Sequence, residues 1–101
     1  MIGASMLENL TAADFAPHLG DRFRLHADDS TTLDAELIEV EEGEPAGSGR
    51  ASFSLVFRGP SEPMLPQRIY RFDHDELGTI EIFIVPIGAD EAGVRYEVVF
   101  T

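Results

Sequence analysis

From Arg22 to Phe100 the chain alternates apolar and polar residues with a period of two, and clusters of glycine, proline, aspartate and serine interrupt the alternation. Successive side chains of a β-strand point to opposite faces, so this period marks strands with one buried face. Phe23 and Leu25 alternate with Arg22, Arg24 and His26, and Leu33, Ala35 and Leu37 alternate with Asp34 and Glu36. Phe53, Leu55 and Phe57 form a third run, Tyr70 and Phe72 a fourth, Ile80, Ile82 and Ile84 a fifth, and Val94, Tyr96, Val98 and Phe100 a sixth. Six short runs with no room for crossover helices predict a mainly β domain, an antiparallel six-stranded sandwich or small barrel.

Local signals refine this outline. The second run changes phase, because Ile38 and Val40 are apolar while Glu39 is polar. An inserted residue shifts phase in this way, which predicts a β-bulge near Leu37-Ile38. Ahead of the strands, Thr11-Ala12-Ala13-Asp14 has helix-start spacing, Gly20 offers a left-handed exit, and Pro17 limits the segment to a short or irregular helix. Leu10, Phe15 and Leu19 are its expected plug for one end or face of the sheet. Residues 41–50 read as a mobile acidic loop from their glycines, proline and glutamates. The three prolines of residues 60–66 read as an extended, rigid crossover, and residues 88–93 as a six-residue hairpin loop. Residues 1–7 are expected to be a flexible tail and residues 8–101 a single domain.

Charge and cysteine usage exclude several functions. Nineteen acidic residues against seven basic ones give a net charge of −12, and all seven basic residues are arginines. A field of that sign repels phosphate backbones and anionic lipid, so neither nucleic acid nor a membrane surface is an expected partner. There is no cysteine, which removes disulfides, thiolate nucleophiles and Cys-ligated zinc. No basic n-region precedes an apolar stretch of signal length and no run spans a bilayer, so a cytoplasmic location is expected.

Candidate chemistry is sparse. Asp73-His74-Asp75 is the one place where imidazole and carboxylates crowd together, a weak candidate for a divalent metal or an acid–base pair. Adjacent strand residues point to opposite faces, which argues against a shared target. Glu39, Glu41, Glu42 and Glu44 lack the spacing of a calcium loop. No nucleotide-binding or nucleophile-elbow motif is present, so no cofactor and no enzymatic activity is expected. One feature stands out. On strands with clear inward faces, Val56, Ile69, Phe83, Val85 and Val99 occupy opposite-face positions that a half-solvated sheet fills with polar residues. Cover by the helix and the proline-rich crossover, an interface with a partner or a second copy, or a ligand pocket or scattered exposure accounts for such a pattern.

Several strings in the second half carry a resemblance. Phe57-Arg58-Gly59-Pro60, Leu65-Pro66-Gln67, Tyr70-Arg71-Phe72-Asp73-His74 with Leu77-Gly78, Phe83-Ile84-Val85-Pro86-Ile87-Gly88 and Arg95-Tyr96-Glu97-Val98-Val99-Phe100 resemble an uncharacterised family of small bacterial domains. The resemblance spans residues 8–101 and departs at Arg68, where the family pattern has glycine. It implies stand-alone proteins encoded near phage-tail collar-like components, hence an accessory or assembly role, and it assigns no residue a function. The expectation is a non-enzymatic interaction module for a protein partner or homo-oligomer. The alternative is a barrel holding an apolar ligand among Phe53, Phe57, Tyr70 and Phe72.

Overall fold

The computed structural model describes residues 11–45 and 51–100. A short helix α1 (Ala12–Phe15) and a 3-10 turn (Ala16–His18) lead into β1 (Arg22–His26), β2 (Thr32–Pro45), β3 (Ala51–Gly59), β4 (Arg68–His74), β5 (Gly78–Asp90) and β6 (Gly93–Phe100). The strands close into a barrel in the order β1-β2-β3-β6-β5-β4, every pair antiparallel. The barrel is therefore two three-stranded meanders joined by one crossover. Its interior holds the residues that the alternation assigns inward: Phe23, Leu25, Leu37, Leu55, Phe57, Phe72, Ile80, Ile84, Val94 and Tyr96 are all fully buried.

Neighbouring strands run in opposite directions, so the starts of β1, β3 and β5 and the ends of β2, β4 and β6 share one mouth of the barrel. The helical segment closes that mouth. The Thr11 backbone N–H donates to Asp14 Oδ2 at 2.8 Å, a reciprocal cap that starts the helix, and Gly20 leaves it at φ +89°. Phe15 then packs on Phe53 and Phe100, whose rings stack with centroids 4.4 Å apart. Ala12 is buried beside Phe15, whereas Leu19 is 49% exposed and is not part of the plug. The crossover, residues 60–67, spans the other mouth. Its Leu65 is buried and donates its N–H to Tyr96 Oη at 2.9 Å, while Tyr70 Oη donates to the Pro66 carbonyl at 2.8 Å.

Both segments cover the mouths of the barrel and not the outer face that they were expected to shield. Phe53, Phe57, Tyr70 and Phe72, the rings expected around an apolar ligand, are themselves buried in the core cluster. With ring centroids 4.9 Å apart, Phe57 and Phe72 fill the space between them.

The bulge forms where the phase slips. Leu37 pairs with Phe57 and Glu39 with Val56, leaving Ile38 as the extra residue and returning Val40 to the core side. Residues 41–45 correct the loop expectation: they are strand, pairing Glu41 with Ser54, Glu42 with Phe53 and Pro45 with Ala51 across a second register shift. Their acids suit a solvated strand face as well as a loop, so composition alone does not separate the two. Residues 46–50, the tail 1–7 and Leu10 lie outside the described residues. The hairpin also differs, since β5 runs to Asp90 and β6 begins at Gly93, leaving a two-residue turn. Asp90 Oδ1 accepts the Ala92 N–H at 2.8 Å there. A further irregularity, between Pro86 and Gly88, leaves Ile87 48% exposed.

Candidate functional site

Two places bring chemically distinctive side chains together: the β1–β4 seam, and the outer face of β4, β5 and β6. The seam is narrow, with three paired positions, Arg24 with Asp73, Leu25 with Phe72 and His26 with Arg71. Side chains extend it. Asp73 Oδ2 lies 2.6 Å from His26 Nε2, His74 Nε2 lies 2.9 Å from Asp21 Oδ2, and Asp75 Oδ1 accepts from Arg24 Nη2 at 3.3 Å. Asp73, His74 and Asp75 thus each bond a different residue of β1 or its lead-in. They do not share a target, as strand alternation requires, and the cluster expected from sequence is dispersed along the seam.

A different trio converges at the helical mouth. His18, Asp21 and His74 offer ligand atoms within 4.8 Å of one another. His18 Nδ1 stands 2.9 Å from Asp21 Oδ2 and 3.5 Å from Glu76 Oε1. The backbone decides the protonation of this group. His74 Nδ1 accepts the N–H of Glu76 at 3.0 Å and of Leu77 at 3.1 Å, so its lone pair is engaged and the ring proton sits on Nε2, donated to Asp21. A transition metal here would need that Nε2 lone pair, with Nδ1 as the donor instead. The trio is therefore matched to a carboxylate held by two imidazole N–H groups, not to a cation. His74 is buried against Phe23, their ring centroids 4.5 Å apart, and locks the turn after β4 to the entry of β1.

Two consequences can be measured. His74→Ala leaves two backbone donors without their acceptor and is expected to cost about 2–3 kcal/mol in urea unfolding. Hydrogen bonds from His18 and then His74 hold the Asp21 carboxyl below the usual carboxylate range, and His26 and then Thr79 do the same for Asp73. A lowered folded pKa contributes stability above the unfolded value of about 4, and that stability is lost as pH falls through the folded values. The urea midpoint should therefore drop between about pH 5 and pH 2, and drop less in Asp21→Asn, whose curve starts lower at pH 5. Equal acid slopes in both proteins would show that the Asp21 bond contributes nothing to acid stability.

On the outer face the apolar residues expected as an interface separate into two groups. Val56 is buried, standing in register between Glu39 and Glu97, whose aliphatic stems flank it, and Val85 is half-buried opposite Glu97. Ile69, Phe83 and Val99 are open, at 63%, 49% and 59% exposure. Ile69 and Phe83 are directly paired across β4 and β5. Val99 lies on the next strand, β6, two residues beyond Glu97, where the pairing with β5 ends, and is paired with Ser54 of β3. The result is a row of exposed large apolar side chains, one on each of three neighbouring strands, with Ile69 and Phe83 directly paired.

Arg95 and Glu97 lie on β6, which is paired on both sides. Closure leaves no free edge among the described strands. No helix among the described residues is long and apolar enough to cross a membrane. Compared with known proteins, the chain matches the model of a domain of unknown function (DUF6916) over residues 10–100. No curated protein and no solved structure matches it.

Proposed function

The chain belongs to this family of domains of unknown function, and within it we propose a non-enzymatic protein-binding role carried by the outer face of β4, β5 and β6. The observation that supports the role is the exposed Ile69–Phe83–Val99 row on a barrel whose interior is already filled. A closed barrel offers no strand for edge pairing, so contact falls to side chains on a face. Aromatic residues, phenylalanine among them, are enriched at interfaces relative to the rest of the surface. A net charge of −12 favours a protein partner over nucleic acid or membrane. The lack of cysteine suits a cytoplasmic location, and an accessory place in a phage-tail-like assembly is proposed on the family resemblance.

If the row serves contact and not folding, replacing it will spare the barrel. Ile69→Thr and Phe83→Thr keep strand propensity and are each expected to cost less than about 1 kcal/mol in urea unfolding, the worth of a cross-strand pair. A loss of about 2 kcal/mol or more at either position would mean that the row holds the fold together, and the binding role would lose its support.

A further inference from the structure

We propose that the turn after β4 is a proton-operated latch. A proton taken up at His74 Nδ1 expels the two backbone N–H groups bound there and frees residues 75–77 from the entry of β1. The device lies at the helical mouth of the barrel, apart from the outer face of β4, β5 and β6. His74 Nδ1 accepts the N–H groups of Glu76 and Leu77 at 3.0 and 3.1 Å, and Nε2 donates to Asp21 Oδ2 at 2.9 Å. One ring nitrogen is committed as acceptor and the other as donor, which only the neutral ring can satisfy. An imidazolium has two N–H groups and no lone pair, so a proton at Nδ1 meets two hydrogens that already point at it.

The ring cannot escape this conflict where it stands. It is 8% exposed, with the Phe23 ring 4.5 Å away and the His18 ring meeting it edge-on at 4.6 Å, between centroids. Turning it over in place would put a carbon where each nitrogen stood and lose all three bonds. His18 differs: it holds Asp21 Oδ2 through Nδ1 at 2.9 Å, and a proton added at its Nε2 leaves that bond intact. The charged and titratable groups around His74 come from three places. They are Asp21 and His18 in the lead-in to β1, Arg22 and Arg24 on β1, and Asp75 and Glu76 in its own turn, while β5 sets Gly78 opposite. With three carboxylates against two arginines, charge does not keep a proton from this mouth; the Glu76 and Leu77 N–H groups do.

A form that binds an additional proton gains population as pH falls. Here that form is the released turn, in which Nδ1 is free of Glu76 and Leu77. The closed latch is therefore favoured at high pH and lost as pH falls. The release is local, because β1 stays paired to β2 from Arg22–Glu36 to His26–Thr32. Its lead-in is also held by backbone bonds, from Gly20 N–H to the Leu37 carbonyl at 2.7 Å and from Leu37 N–H to the Asp21 carbonyl at 3.0 Å.

Amide and imidazole chemical shifts of the isotopically labelled full chain, followed from about pH 8 to about pH 5, test the latch. The His74 ring nitrogens and the Glu76 and Leu77 amides are expected to move with one shared midpoint. Through that midpoint, hydrogen-exchange protection at Glu76 and Leu77 should fall at least about tenfold, while the buried Ile80 and Val98 keep theirs. His74→Asn retains an acceptor for the two N–H groups, as an Asx turn, and takes up no proton in this range, so both amides should stay in place. His18→Gln retains His74 and should retain the step. A His74 ring that gains its proton while the two amides stay put would overturn the proposal. A ring that stays neutral across the whole range would overturn it as well. The same loss of protection in His74→Asn, or disappearance of the step in His18→Gln, would assign the change to another group and overturn it too.

Discussion

Replacing Gly93 with alanine is expected to destabilise the barrel by about 3–5 kcal/mol, enough to unfold a large share of the molecules at moderate urea. Gly93 sits at φ +135°, a conformation that L side chains rarely adopt, where the β5–β6 hairpin turns into β6. A Cβ at this position would run into the Gly59 carbonyl oxygen. That oxygen belongs to the backbone of β3 at its pairing with Val94, so it cannot rotate aside as a side-chain end could. The clash can only be relieved by opening the end of the β3–β6 ladder, which joins the two meanders. Gly20 provides the control. It too has a positive φ, but a Cβ added there would meet nothing within 4 Å, so Gly20→Ala should cost only about 1 kcal/mol. Similar costs at the two positions would show that backbone conformation matters and that the approach of β3 to β6 does not.

The second large effect is at Phe57. Its ring is fully buried, edge-to-face on Phe23 at 5.1 Å and tilted on Phe72 at 4.9 Å, so it connects β1, β3 and β4 through the barrel centre. Phe57→Ala is expected to cost about 3–5 kcal/mol through lost burial and the cavity left behind. The same substitution at Phe83, on the outer face of β5, should cost less than about 1 kcal/mol. Urea titrations with unchanged m-values make the pair directly comparable. A large loss at Phe83, or a small one at Phe57, would reverse the assignment of inner and outer faces.

The pattern of agreement between sequence and structure follows the range of the interactions. Inward residues such as Phe23, Leu55 and Tyr96 were legible because alternation is a local property. The bulge at Ile38 was legible for the same reason, since an inserted residue shifts the phase where it sits. Residues 41–45 were not, because their pairing with β3 is long-range and their composition carries no register. The apolar Ile87 likewise continues the run of its strand and hides the irregularity between Pro86 and Gly88. Asp73-His74-Asp75 was visible as a crowd of titratable groups. Its partners His26, Asp21 and Arg24 lie far away in the chain and become neighbours only when β1 meets β4. His18 was visible as a histidine but had no partner to give it meaning until Asp21 and His74 were placed beside it. On the outer face, sequence identified five misplaced apolar residues, and only the register separates the shielded Val56 from the open Ile69, Phe83 and Val99.

If the Ile69–Phe83–Val99 row serves contact with another protein, that protein can be captured at position 83. A photoreactive benzophenone side chain at position 83, with a control at position 24 on the outside of β1, tests it most directly in the cells that make the protein. The expected result is one discrete cross-linked product of heavier mass from position 83 and none from position 24. No product from either position, or the same products from both, would contradict the claim.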